Sequence, residues 1–108
     1  MKQLGLLPLC LLAAFVPQRA FAADNANGVQ LARSLCTNCH IVEPGGTSKR
    51  EVAADVPSFM AVAAKPGQTV DKIKGYILNP HPPMPEVQLT TVQLADVAAY
   101  ILSLRKPE

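Results

Sequence analysis

Tryptophan is absent from the chain, and aromatic residues of any kind are few. Beyond position 22 only Phe59, Tyr76 and Tyr100 remain, too little ring area to fill the middle of a domain. No charge of one sign dominates: Lys plus Arg number 10 and Asp plus Glu number 8. Such a balance presents no strongly basic face, so nucleic acid is excluded as an expected partner. No apolar run is long enough for a membrane helix. The longest, Leu4 to Val16, holds 13 residues, about 20 Å of helix against a hydrocarbon core of about 30 Å. Internal repeats and alternating strand patterns are also missing, which argues against a β architecture.

The order of the first 22 residues has its own meaning. Lys2 gives a positive start, the apolar run follows, and Pro17-Gln18-Arg19 leads to Ala20-Phe21-Ala22. A small-residue A-x-A pattern after a short apolar core is the layout of a secretory signal peptide, with removal expected after Ala22. An uncleaved membrane anchor is the alternative. Cys10 lies inside this segment behind Leu9, which is not the small residue a lipoprotein cysteine requires. The domain is therefore expected at 23–108, in the periplasm, without stable membrane insertion. Losing Lys2 and Arg19 leaves eight basic and eight acidic residues, a net charge of zero.

A domain of 86 residues buries a modest share of its surface and often needs a staple. Cys36 and Cys39 remain, but a disulfide between them would close a loop of four residues and constrain the unfolded chain very little. If these thiols matter to stability, they matter by holding something else.

The domain reads as all-α. Asn25 to Cys39 forms a first helix, capped by Asp24 or Asn25, with Val29, Ala32, Leu35 and Cys36 at helical spacing. Gly28 within it costs about 1 kcal/mol relative to Ala, which is explained if another helix approaches closely. Pro44-Gly45-Gly46-Thr47-Ser48 is turn chemistry, followed by the solvated charges Lys49-Arg50-Glu51. Pro57 to Ala64 suits a short helix with proline at its first position. Thr69 caps a third helix whose buried face is Val70, Ile73 and Ile77, and Asn79-Pro80 stops it. Four prolines between Pro80 and Pro85 make an extended, stiff loop around His81 and Met84. Thr90-Thr91-Val92-Gln93 is a capping box, and Leu94, Val97, Ala98, Ile101 and Leu102 form the apolar stripe of the last helix.

Cys36-Thr37-Asn38-Cys39-His40 carries the chemistry. C-x-x-C-H in an exported helical protein is a haem c attachment signature. The spacing lets two thiols reach the two vinyl groups on one porphyrin edge, and the next residue then lies beneath the iron. His40 is the expected proximal ligand. A thioredoxin-like pair would need a βαβ setting that is missing. A zinc site would take Cys36, Cys39 and one or two histidines; only His40 and His81 exist, and adjacent Cys39 and His40 are awkward tetrahedral partners. Met84 is the expected second axial ligand, since its soft thioether sits in a proline-fixed loop and Met/His ligation raises the potential. His81 and Met60 are its rivals.

With these motifs in view the chain resembles the class I cytochromes c, particularly the short bacterial monohaem ones. The resemblance rests on Cys36-x-x-Cys39-His40, Asn79-Pro80, Met84 in its Pro-rich loop and Tyr100 in the last helix. It implies a cytochrome c fold of three to four helices around one covalently attached haem. It implies that Gly28, eight residues before the first cysteine, packs against the last helix near Val97 and Tyr100. It implies that the Pro57 carbonyl accepts the His40 Nδ1–H, although Val56 stands where the family usually has glycine. Tyr76 occupies a place from which a phenol often reaches the haem or the methionine sulfur, ordinary core packing being the alternative.

The function so implied is periplasmic one-electron transfer, without enzymatic activity. Expected partners are redox proteins, such as periplasmic dehydrogenases, oxidases or reductases, docking at the exposed thioether edge on an apolar rim of Pro82, Pro83, Pro85 and Val42. A monomer is expected. The alternatives are a haem c subunit fixed in a periplasmic dehydrogenase or reductase complex, or an open-site haem sensor or enzyme if Met84 is not bound.

Overall fold

The computed structural model describes residues 22–50 and 55–107, together with Gly5 and Ala14. The segment read as a signal peptide thus lies, apart from Gly5, Ala14 and Ala22, outside the described residues. Among the described residues four helices follow in order: α1 Asn25–Leu35, α2 Phe59–Ala63, α3 Val70–Leu78 and α4 Thr91–Ser103. No strand occurs among the described residues, and the fold is all-α.

Each helix starts where a side-chain oxygen meets an orphan backbone N–H. The Asp24 carboxylate accepts from Asn27 N at 3.1 Å and the Thr69 hydroxyl from Lys72 N at 3.1 Å. Thr90 and Gln93 complete the capping box, with Gln93 N donating to Thr90 Oγ1 at 3.1 Å and Thr90 N to Gln93 Oε1 at 2.9 Å. At α2 the expectation is corrected. Ser58 is the cap, its hydroxyl accepting from Ala61 N at 3.1 Å, and Pro57 precedes the cap instead of opening the helix. A serine oxygen satisfies an N–H, whereas proline merely lacks one.

The first helix also ends earlier than its periodicity suggests, at Leu35 instead of Cys39. The Thr37 hydroxyl donates to Arg33 O at 2.7 Å, and Cys39 N and His40 N both reach Cys36 O, at 3.2 and 2.9 Å. A hydroxyl that occupies a carbonyl of the last turn, followed by a tighter turn, releases the chain from the helix axis.

The fourth helix is the hub, packing against each of the other three. A Cβ on Gly28 would lie 2.2 Å from Asp96 O and 2.7 Å from Tyr100 Cβ. The crossing thus falls at Tyr100 and at the Asp96 carbonyl, which leads directly into Val97. Around this crossing Ala32, Val42, Phe59, Ile73, Val97, Ala98, Tyr100 and Ile101 form one buried cluster.

Candidate cofactor site

The two cysteines leave the end of α1 in a turn. Both thiols are free and half-buried. Burial pushes the Cys36 thiol up to about 11 before any cofactor is attached. Behind the turn, Lys49 N donates to Thr37 O at 2.7 Å and Arg50 N to Asn38 O at 3.1 Å. These bonds tie both residues between the cysteines to a second stretch of chain and hold the spacing of the thiols.

His40 is held from the other side. Its Nδ1 lies 2.7 Å from Pro57 O, with Val56 in place of glycine. A carbonyl only accepts, so Nδ1 carries the proton and Nε2 keeps the lone pair that a metal needs. The Phe59 ring lies against the imidazole, centroids 5.3 Å apart. Phe59 N donates to Ile41 O at 2.9 Å, and the buried Tyr100 hydroxyl donates to Val42 O at 2.6 Å. Three elements therefore converge on residues 40–42: the approach to α2, α2 itself and α4.

Tyr100 and Phe59 were not singled out for this role. Tyr100 was expected to pack against Gly28, which places its ring but does not identify the acceptor of its hydroxyl. The ion pair of Arg33 with Glu43, which braces α1 against the loop after His40, was likewise missed. Its partners are ten positions apart in a turn-rich stretch, where spacing carries no contact information.

Met84 is half-buried in a turn whose Met84 N donates to His81 O at 2.9 Å. The Pro82–Pro83 peptide is cis. The Met84 N–His81 O bond turns the loop at this point instead of letting it run extended. His81 is exposed, lining with Lys72, Gly75, Tyr76 and Asn79 an open groove of about 430 Å³. Met60 lines a separate depression of about 350 Å³ with Ala64, Leu104, Arg105 and Lys106. Tyr76 is 52% exposed, so ordinary core packing is ruled out. Lys65 Nζ stands 5.1 Å from its ring centroid.

One apolar expectation changes. Val42 is 3% exposed and belongs to the core, so it forms no part of a docking rim. Its carbonyl is the acceptor for Tyr100, which draws it inward. Leu35, which falls at helical spacing with Val29 and Ala32, is 46% exposed directly before Cys36.

The zinc alternative loses its geometry as well. Among the described residues no group of three or more His, Cys, Asp or Glu side chains is arranged to hold a bare metal ion. The donors suit a large planar ligand instead: two uncrosslinked thiols at fixed spacing, followed by an imidazole with its outer nitrogen available. Residues 25–105 match the family model for cytochrome c. The chain belongs to the cytochrome c family. It is 40% identical over 104 residues, 94% of its own length, to cytochrome c-552 of Bradyrhizobium diazoefficiens, of which it covers 97%. No solved structure gave a significant match.

The cofactor is accordingly covalently bound haem c, and Cys36 and Cys39 are the cysteines of its attachment motif. The protein is a haem-based electron carrier of this family, acting between redox partners. No helix among the described residues is long and apolar enough to cross a membrane.

Proposed function

We propose that the chain is a diffusible, monomeric periplasmic electron carrier in which His40 and Met84 are the axial ligands of the haem iron. Residues 1–22 would be removed on export, leaving the domain 23–108. When bound, the haem supplies an iron that changes by one electron between ferric and ferrous, and no substrate bond is altered.

The observation that carries the reading is the 2.7 Å contact between His40 Nδ1 and Pro57 O. It selects the tautomer, orients the ring and makes Nε2 a better donor to iron. Phe59 at 5.3 Å shields that imidazole from water. Met84 is favoured over His81 because Met84 turns partly inward, whereas His81 faces solvent. A thioether ligand and a dry surround both disfavour the net positive ferric state and raise the potential. Tyr76 is proposed to lie beside the cofactor, since a phenol at a half-exposed position gains cover from a large planar ligand.

Partner contact is proposed at exposed apolar residues, Leu35 beside Cys36 and Pro82, Pro83 and Pro85 in the turn that carries Met84. Two measurements test the reading. The ferric protein should show the near-infrared sulfur-to-iron charge-transfer band of a methionine ligand. Mass spectrometry of the exported chain should show one porphyrin adduct on a polypeptide beginning at Ala23. Lack of the band refutes the Met84 assignment, and a bare polypeptide mass refutes haem attachment.

A further inference from the structure

Asp96 is a charge in the middle of an apolar helix stripe, and only 4% of it is exposed. Its carboxylate crosses from α4 to the start of α1. Oδ1 accepts from the backbone N–H of Asp24 at 2.8 Å, and Oδ2 accepts from Asn27 Nδ2 at 2.7 Å. Both donors are neutral. The ion pairs of the described residues are Arg33 with Glu43 and Lys74 with Asp71, and neither includes Asp96. A second carboxylate, that of Asp24, is engaged at the same spot by Asn27 N at 3.1 Å. Two acidic groups thus meet at the start of α1, one of them buried, with neutral donors alone. A buried carboxylate without a countercharge is costly.

The chain contains a means of supplying that charge. Ala23 directly precedes Asp24, the residue whose N–H the Asp96 carboxylate holds. Cleavage after Ala22 converts the Ala23 amide into an ammonium. That nitrogen is one residue, at most about 3.6 Å of chain, from the Asp24 nitrogen. We propose that Asp96 is a receptor for the new N-terminus, so that removal of the signal peptide locks α1 onto α4 at the Gly28 crossing. In the precursor the same nitrogen is an uncharged amide, and the lock is incomplete. The inference rests on the proposed cleavage after Ala22.

The charged groups at the start of α1 are Asp24 at its cap and Asp96 reaching across from α4, and both would attract the ammonium. Opposing them are the partial positive charges of the first N–H groups of α1. Attraction by the buried carboxylate raises the pKa of the amine above its ordinary value of about 7.7–8.0. A group with a raised folded pKa stabilises fully below its unfolded value, and that stability is lost as pH rises through the folded one.

The test uses the mature, haem-loaded protein. The Ala23 amine is titrated by NMR, and thermal midpoints are compared for free and N-acetylated forms of the parent and of Asp96→Asn. The amine of the parent should titrate about one pH unit above the ordinary value, and acetylation should lower its midpoint. Asp96→Asn, which keeps the shape and one acceptor, should shrink both effects to the smaller contribution of Asp24. An amine that titrates ordinarily, or acetylation that costs the same in both backgrounds, overturns the proposal. N-terminal sequencing separates the two readings. A start other than Ala23 overturns the cleavage site and the lock together, while a start at Ala23 with an ordinary amine overturns the lock alone.

Discussion

At the scale of single residues, two side chains decide how the site behaves. Replacing Met84 by Ala removes the soft axial donor proposed for the iron. The charge-transfer band should vanish, the reduction potential should fall, and added imidazole should bind; an unchanged redox titration and spectrum would reassign the ligand. Tyr100 acts through Val42. Its hydroxyl satisfies a buried carbonyl two residues after His40, so Tyr100→Phe leaves an orphan acceptor at a cost of about 1–3 kcal/mol in denaturant unfolding. Burial raises the Tyr100 phenol above its ordinary value, with Glu43 adding to the shift and Arg33 opposing it. The neutral form is therefore favoured in the folded state. Above pH of about 10 the unfolded chain loses this proton first, and stability falls as pH rises towards the folded pKa. Tyr100→Phe should abolish that part of the alkaline slope, which parallel unfolding curves would reveal.

At the scale of elements, the α1–α4 crossing dominates. Gly28 has ordinary helical backbone, so its need is for space and not for an unusual φ. Alanine there would drive a methyl group to 2.2 Å from the Asp96 carbonyl oxygen. Backbone on both sides leaves no flexible group to yield, and Gly28→Ala should destabilise by about 1–3 kcal/mol or more despite its better helix propensity. Thermal unfolding of the holoprotein checks the sign, since propensity alone predicts the opposite one. The starts of α3 and α4 were legible in the residues because caps are local: Thr69, Thr90 and Gln93 act within three positions of themselves. Helix ends were less so. The Thr37 hydroxyl diverts α1 at Leu35 although the apolar spacing continues to Cys36, and spacing does not record a competing hydrogen bond. The turn at Met84 was likewise read as extended, because proline restricts φ without stating the direction in which the chain leaves.

At the scale of the whole molecule, the small core needs its cofactor. The buried cluster includes two aromatic residues, Phe59 and Tyr100, a thin centre for a domain of this size. Exchanging both Cys36 and Cys39 for Ala should leave no haem attached after denaturation and solvent extraction, and should lower helicity measured by circular dichroism. Leu35→Asp should slow electron transfer to a redox partner several-fold without moving the potential, because the residue borders the attachment motif while facing solvent. Equal rates would remove Leu35 from the docking surface.

The amino-acid order by itself determined the helical class, the caps at Thr69 and Thr90, the C-x-x-C-H run and the cofactor it implies, because each depends on neighbours within a few positions. Only the tertiary structure decided that Tyr100 bonds Val42 across 58 residues and that Asp96 holds Asp24 across 72. Chain-distant groups meet only after the helices pack, and their pairing depends on the angle and depth of that packing, which periodicity does not encode.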